Sequence, residues 1–223
     1  MPRVFLLRRC APSLQKARDT VAALPGWQVH GTAQSVSEAC GLIQRLQPDV
    51  VACDLNLPGG RFEKLVQACQ FWPQRPQILV LSDAGDDLSL FDALRWGADA
   101  YGVETGNGAG LAAGLRRLAA GRATMSPRIA QSTLALYGLG RSRMFEALPA
   151  AAARDVSHAG GSLMPGLVMA EQHLLSLIAH GLLSHEIGGH WGLEDAEIER
   201  RLATVYQRLH ALLRQPQAEQ LSA

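Results

Sequence analysis

Apolar positions in the first half of the chain alternate between two textures. Short runs at Arg3 to Leu7, Trp27 to His30, Val50 to Asp54, Gln77 to Leu81 and Ala98 to Val103 read as strands. Between them, apolar residues recur at helical spacing. Leu14, Ala17, Val21 and Leu24 follow a Pro12-Ser13 start, and Ala39, Leu42, Ile43 and Leu46 follow Ser35. Further helices are predicted over Phe62 to Trp72, Leu88 to Trp96 and Ala109 to Ala120. Five alternations of strand and helix predict an α/β fold over residues 1–121, a doubly wound five-stranded parallel sheet. The stretch from Pro48 to Gly60 stands out within it. Val50, Val51, Ala52 and Cys53 suit a strand buried on both faces, which then ends abruptly on Asp54 and a Pro-Gly-Gly turn. Ligands of open α/β sheets bind at that carboxyl edge, so Asp54 is the first candidate functional residue.

From Gly121 the pattern changes. Ser126-Pro127 predicts a helix to about Tyr137, and Gly138 to Gly166, rich in Ala, Gly and Pro, reads as an interdomain linker, so 122–166 form a helix and linker. Residues 167–223 are helical in pattern. One helix carries Leu174, Leu175, Leu177 and Ile178 and ends at Gly181; a second runs from His185 to Trp191 and ends at Gly192. A third runs from Asp195 to about Leu213, with Pro216 beyond it. Short helices joined at tight glycine turns and feeding a longer one make an all-α helix-turn-helix domain.

Composition narrows the class. A chain of 223 residues, 48% hydrophobic, fills one large or two modest cores. It contains no apolar run long enough to cross a membrane, and Val4 to Leu7 is too short for a secretory leader. Cys10, Cys40, Cys53 and Cys69 match no zinc or redox spacing and read as reduced thiols of a cytoplasmic protein. No cofactor or metal is expected. His180, His185 and His190 recur every five residues, which scatters them around a helix axis. The glycine-rich run Gly102 to Gly110 lacks the ending of a phosphate loop and reads as a flexible loop. The overall charge of +1 conceals an imbalance: residues 167–223 hold 4 basic against 7 acidic side chains. That is unfavourable for a DNA backbone. Arg141-Ser142-Arg143 reads as a solvated linker charge, with a small anionic effector as the alternative.

Residues 1–121 resemble the receiver domain of bacterial response regulators, and residues 167–210 resemble the helix-turn-helix of the NarL/LuxR class. In the receiver, Asp54 of Asp-Leu-Asn-Leu-Pro-Gly falls at the phosphoacceptor position, Ser82 at the hydroxyl switch position and Tyr101 at the aromatic switch position. In the helical region, Leu167, Glu171, Leu175, Ala179-His180-Gly181-Leu182, Glu186-Ile187, Gly192-Leu193, Ile198 and Leu209 fall on framework positions. The resemblance implies a DNA-binding transcription regulator of a two-component system, not an enzyme, that dimerises. Leu88, Leu90, Phe91, Leu94, Leu111 and Leu115 are the candidates for a receiver dimer face.

The departures from the family pattern matter most. Where the family has two acids that hold Mg²⁺, this chain has Arg8-Arg9, and where it has a lysine the chain has Glu104. Guanidinium groups cannot ligate Mg²⁺, and phosphoryl transfer depends on positioning and charge neutralisation. Asp54 is therefore expected not to be phosphorylated by the Mg²⁺-dependent route. Either Arg8 or Arg9 pairs with Asp54, or the carboxylate is merely solvated. In the recognition helix, Glu194, Asp195 and Glu197 stand where contact residues are expected, leaving Arg200, Arg201 and Arg208 as the DNA-contact candidates. The alternative is an adaptor that docks another protein and has lost DNA binding.

Overall fold

The computed structural model describes residues 1–59, 62–70, 74–82, 87–104, 108–139 and 167–220. The chain divides into two compact units, Met1–Ala120 and Gly121–Ala223.

In the first unit, β1 (Arg3–Leu7), β2 (Gln28–Ala33), β3 (Val50–Asp54), β4 (Gln77–Ser82) and β5 (Ala100–Val103) form one parallel sheet in the order β2-β1-β3-β4-β5. The connecting helices are α1 (Ala11–Ala22), α2 (Val36–Leu46), α3 (Phe62–Gln70), α4 (Asp87–Trp96) and α5 (Ala109–Ala119). All five residues of β3 are buried, as expected for a central strand covered on both faces. One side of the core joins Val4, Leu6, Val50, Ala52, Leu79 and Leu81 of the sheet to Val21 of α1 and Leu111, Leu115 and Leu118 of α5.

Local chemistry explains several boundaries. Ser35 caps α2 by accepting a hydrogen bond from Glu38 N at 3.3 Å, while the Glu38 carboxylate accepts from Gln34 N at 3.1 Å. Strand β2 runs on to Ala33, past the expected end at His30, because its pairing with β1, shifted by one residue after Val4↔Val29, resumes at Phe5↔Gly31 and continues to Leu7↔Ala33. Strand β5 begins at Ala100 and not at Ala98. Before it, the Asp99 carboxylate accepts from Ile78 N at 2.7 Å and from Arg75 at 3.2 Å.

Gly102 and Gly110, at the two ends of the glycine-rich run, serve close packing. A Cβ on Gly102 would lie 2.6 Å from the Gly110 carbonyl oxygen, and one on Gly110 would lie 2.3 Å from the Val103 oxygen. These contacts let the start of α5 lie against β5. Gly102→Ala is therefore expected to destabilise the first unit by about 1–3 kcal/mol, since backbone atoms cannot rotate away from the added methyl. A urea titration followed by circular dichroism checks this.

The second unit contains α6 (Pro127–Leu136), α7 (Met169–Ala179), α8 (Ser184–Trp191) and α9 (Asp195–Gln220). The helix expected after Ser126-Pro127 packs against α7, and Gln131 donates to Ala179 O at 3.0 Å. Ahead of it, Ala123 N donates to Glu199 O at 3.0 Å and the Tyr206 hydroxyl donates to Thr124 O, so residues 123–124 are laid along α9. Ile187, Trp191, Ile198, Leu202, Val205, Tyr206 and Leu209 build the core around the turn. Helix α9 continues to Gln220, through Pro216, beyond the expected end near Leu213. From residue 140 onward the expected linker, with Arg141-Ser142-Arg143, lies outside the described residues.

Candidate functional site

The parallel register Leu7↔Cys53 between β1 and β3 sets the next residue of each strand, Arg8 and Asp54, side by side at the carboxyl edge. Both are buried, with side-chain exposures of 8% and 10%. Arg8 Nε lies 3.1 Å from Asp54 Oδ1. The Nε–H does not aim along that line, so charge and not a directed hydrogen bond holds the contact. Arg9 contributes its backbone: its N–H donates to Asp54 Oδ2 at 2.7 Å, while its side chain is exposed. Of the two candidate arginines, Arg8 brings its guanidinium to Asp54 and Arg9 its backbone amide.

Ser82 at the end of β4 is 4% exposed, and its carbonyl accepts from Glu104 N at 2.9 Å. Tyr101 is half-buried on β5, level with Val80 of β4. The Glu104 carboxylate is turned onto the first turn of α5, accepting from Leu111 N at 3.0 Å. It stabilises that helix end through the exposed N–H and the dipole. The close approach of Gly102 and Gly110 brings that amide within its reach.

Arg8, Arg9, Asp54, Asn56, Ser82 and Glu104 surround a cavity of about 20 Å³. That is space for about one water molecule. In front of it lies an open cleft of about 830 Å³, lined by Arg9, Cys10, Asn56, Phe62, Asp92 and Trp96 among others. At its rim, Cys10 is exposed, and its hydrogen bond to Ser13, 3.3 Å away, holds its thiol below the ordinary value. The buried Cys53 thiol next to Asp54 is pushed strongly upward by burial. Of the dimer-face candidates, Leu90, Phe91, Leu94, Leu111 and Leu115 lie in the core, whereas Leu88 is 58% exposed.

In the helical unit the three candidate arginines all sit against carboxylates. Arg200 donates from Nε to Glu197 Oε2 at 3.0 Å, and Arg201 donates from Nε to Glu197 Oε1 at 3.2 Å. Burial works to raise the Glu197 pKa, but the bonds and charges of Arg200 and Arg201 outweigh it and lower the value. Arg208 donates to Glu171 Oε1 at 2.9 Å. The other Glu171 oxygen accepts from Val168 N at 3.0 Å, closing the first turn of α7, and its side chain is 8% exposed. Side-chain exposure falls from Arg200 (52%) through Arg208 (36%) to Arg201 (19%). The Glu197 pairs are spaced i,i+3 and i,i+4 and were available to sequence reasoning, whereas the Arg208–Glu171 pair spans 37 residues and was not.

No protein-family model matches the chain. Among characterised proteins, the chain is similar to the DNA-binding transcriptional activator DevR/DosR of Mycobacterium tuberculosis, 27% identical over 210 residues that cover 94% of this chain and 88% of that protein. It is also similar to the transcriptional regulatory protein LiaR of Bacillus subtilis, 26% identical over 84% of this chain and 81% of that one. Among solved structures, a two-component response regulator of the LuxR family from Aurantimonas sp. superposes with a TM-score of 0.52 at 30% identity. The match covers 59% of this chain and 94% of that one. By its five-stranded parallel sheet ending on Asp54, its helical C-terminal region and these relatives, the chain belongs to the NarL/LuxR family of response regulators.

Proposed function

We propose that this protein is a DNA-binding transcriptional regulator, and no enzyme, whose receiver is not switched by Mg²⁺-dependent phosphorylation of Asp54. The observation that carries this is the buried Arg8 guanidinium 3.1 Å from Asp54, beside a cavity of about 20 Å³. Mg²⁺ needs an octahedron of hard oxygens, and Arg8 and Arg9 do not fit it. Arg8 repels the ion and neutralises the carboxylate, a fixed stand-in for the metal and lysine. Incubation of the full chain with Mg²⁺ and acetyl phosphate or beryllofluoride is expected to leave the intact mass and the spectroscopic signature unchanged. Stoichiometric modification at Asp54 overturns the proposal.

DNA binding is supported by the relative named a DNA-binding transcriptional activator, which the chain matches over nearly its whole length. In this reading the protein works in the cytoplasm as a homodimer formed through the receiver, with Leu88 an exposed part of that face. No described helix is long and apolar enough to cross a membrane. Arg200, Arg201 and Arg208 are the proposed DNA contacts, with Arg200 the most exposed.

The pairing of all three arginines with carboxylates supports a second reading, an adaptor that docks another protein or a small anionic effector. Fluorescence polarisation with duplex DNA at about 50 mM salt, where phosphate contacts are strongest, separates the two. Binding whose affinity falls steeply with salt is expected. Absence of binding to any duplex favours the adaptor.

A further inference from the structure

The first two turns of α9 place Glu197, Arg200 and Arg201 on one face, three and four residues apart. The single carboxylate of Glu197 is shared. One oxygen takes the Nε of Arg200 at 3.0 Å and lies 2.9 Å from its terminal amino group; the other takes the Nε of Arg201 at 3.2 Å. A phosphate oxygen or the O6/N7 edge of guanine uses the same guanidinium donors. Glu197 therefore occupies on the protein what DNA would occupy in the groove. Its lowered pKa keeps it ionised, so the competition does not depend on pH near neutrality.

We propose that Glu197 is an internal competitor for the DNA backbone, which holds Arg200 and Arg201 and keeps the affinity for arbitrary duplex low. This rests on the DNA-binding reading above. Binding is then an exchange in which two arginines leave one carboxylate for phosphates or base edges. Because helical ion pairs of this spacing are individually weak, phosphates or base edges can displace them. The clamp thus lowers the affinity for every duplex that must open it. Among the 7 acids of residues 167–223, this one answers two of the 4 basic side chains.

The test compares the full-length wild type, Glu197→Gln and Glu197→Asp by fluorescence polarisation on a random-sequence duplex across a salt series. Glu197→Gln removes the charge at nearly constant shape and is expected to bind about threefold to tenfold tighter. Its plot of log affinity against log salt should be steeper by about one, equivalent to one more phosphate contact. Glu197→Asp keeps the charge and the favourable interaction with the helix dipole but is one methylene shorter, so part of the gain is expected there too. A gain in Glu197→Gln with a salt slope no steeper than that of wild type assigns the effect to net charge and overturns the clamp. Unchanged or weaker binding of Glu197→Gln, with wild type binding normally, overturns it as well while leaving the DNA reading intact. Failure of all three proteins to bind any duplex at about 50 mM salt defeats the DNA reading itself. Far-ultraviolet circular dichroism of each variant confirms that α9 has kept its helix.

Discussion

Arg8→Met is expected to destabilise the receiver unit by about 3–5 kcal/mol, the range for removing one partner of a buried ion pair. The effect is large because Asp54 is only 10% exposed and would keep its charge while losing the guanidinium that faces it at 3.1 Å. The measurement is a denaturant titration of the full chain, with the receiver transition followed separately from that of the helical unit. The companion variant Arg8→Met/Asp54→Leu removes both charges and is expected to recover most of the loss, since a buried pair replaced by apolar groups of similar volume is often neutral. A loss below about 1 kcal/mol in Arg8→Met would place Asp54 in water, as a solvated relic of the family's phosphoacceptor.

Arg208→Met is expected to destabilise the helical unit by about 2–3 kcal/mol, less than at Arg8 because Arg208 is about one-third exposed. The loss comes from stranding the Glu171 carboxylate, 8% exposed, on which both Arg208 and the Val168 amide depend. Glu171→Gln keeps an acceptor for that amide without the charge, so adding it to Arg208→Met should return much of the stability. Thermal unfolding of the single and double variants gives the coupling directly. If instead Arg208→Met leaves stability unchanged and weakens duplex binding uniformly across sequences, Arg208 is a phosphate contact and not a framework residue.

The sequence made some of this legible and left other parts dark for identifiable reasons. The alternation of strands and helices was readable because each element has its own apolar period, and Asp54 was placed at a strand end by the run Val50 to Cys53 before it. The choice between Arg8 and Arg9 was not readable. Consecutive residues at a strand end point to opposite sides, and which one meets Asp54 depends on the register Leu7↔Cys53. Glu104 was identified as the departure from the family lysine, but its turn onto Leu111 N needs the backbone contact between Gly102 and Gly110. That contact is tertiary, so the glycines looked like a loop. The same holds in the helical unit: spacing reveals Glu197 with Arg200 and Arg201, whereas nothing local announces Arg208 with Glu171.

The cavity beside Asp54 has a consequence for signalling. An acyl phosphate is a timer: it is written by one enzyme, decays at its own rate, and leaves the regulator remembering a recent event. Under the proposed reading, a carboxylate already answered by Arg8, with space beside it for about one water, has nothing to write and nothing to erase. Such a regulator keeps no history. Its input would be its own concentration or whatever binds it, so the promoter that sets its expression, and the protease that removes it, would become points of control.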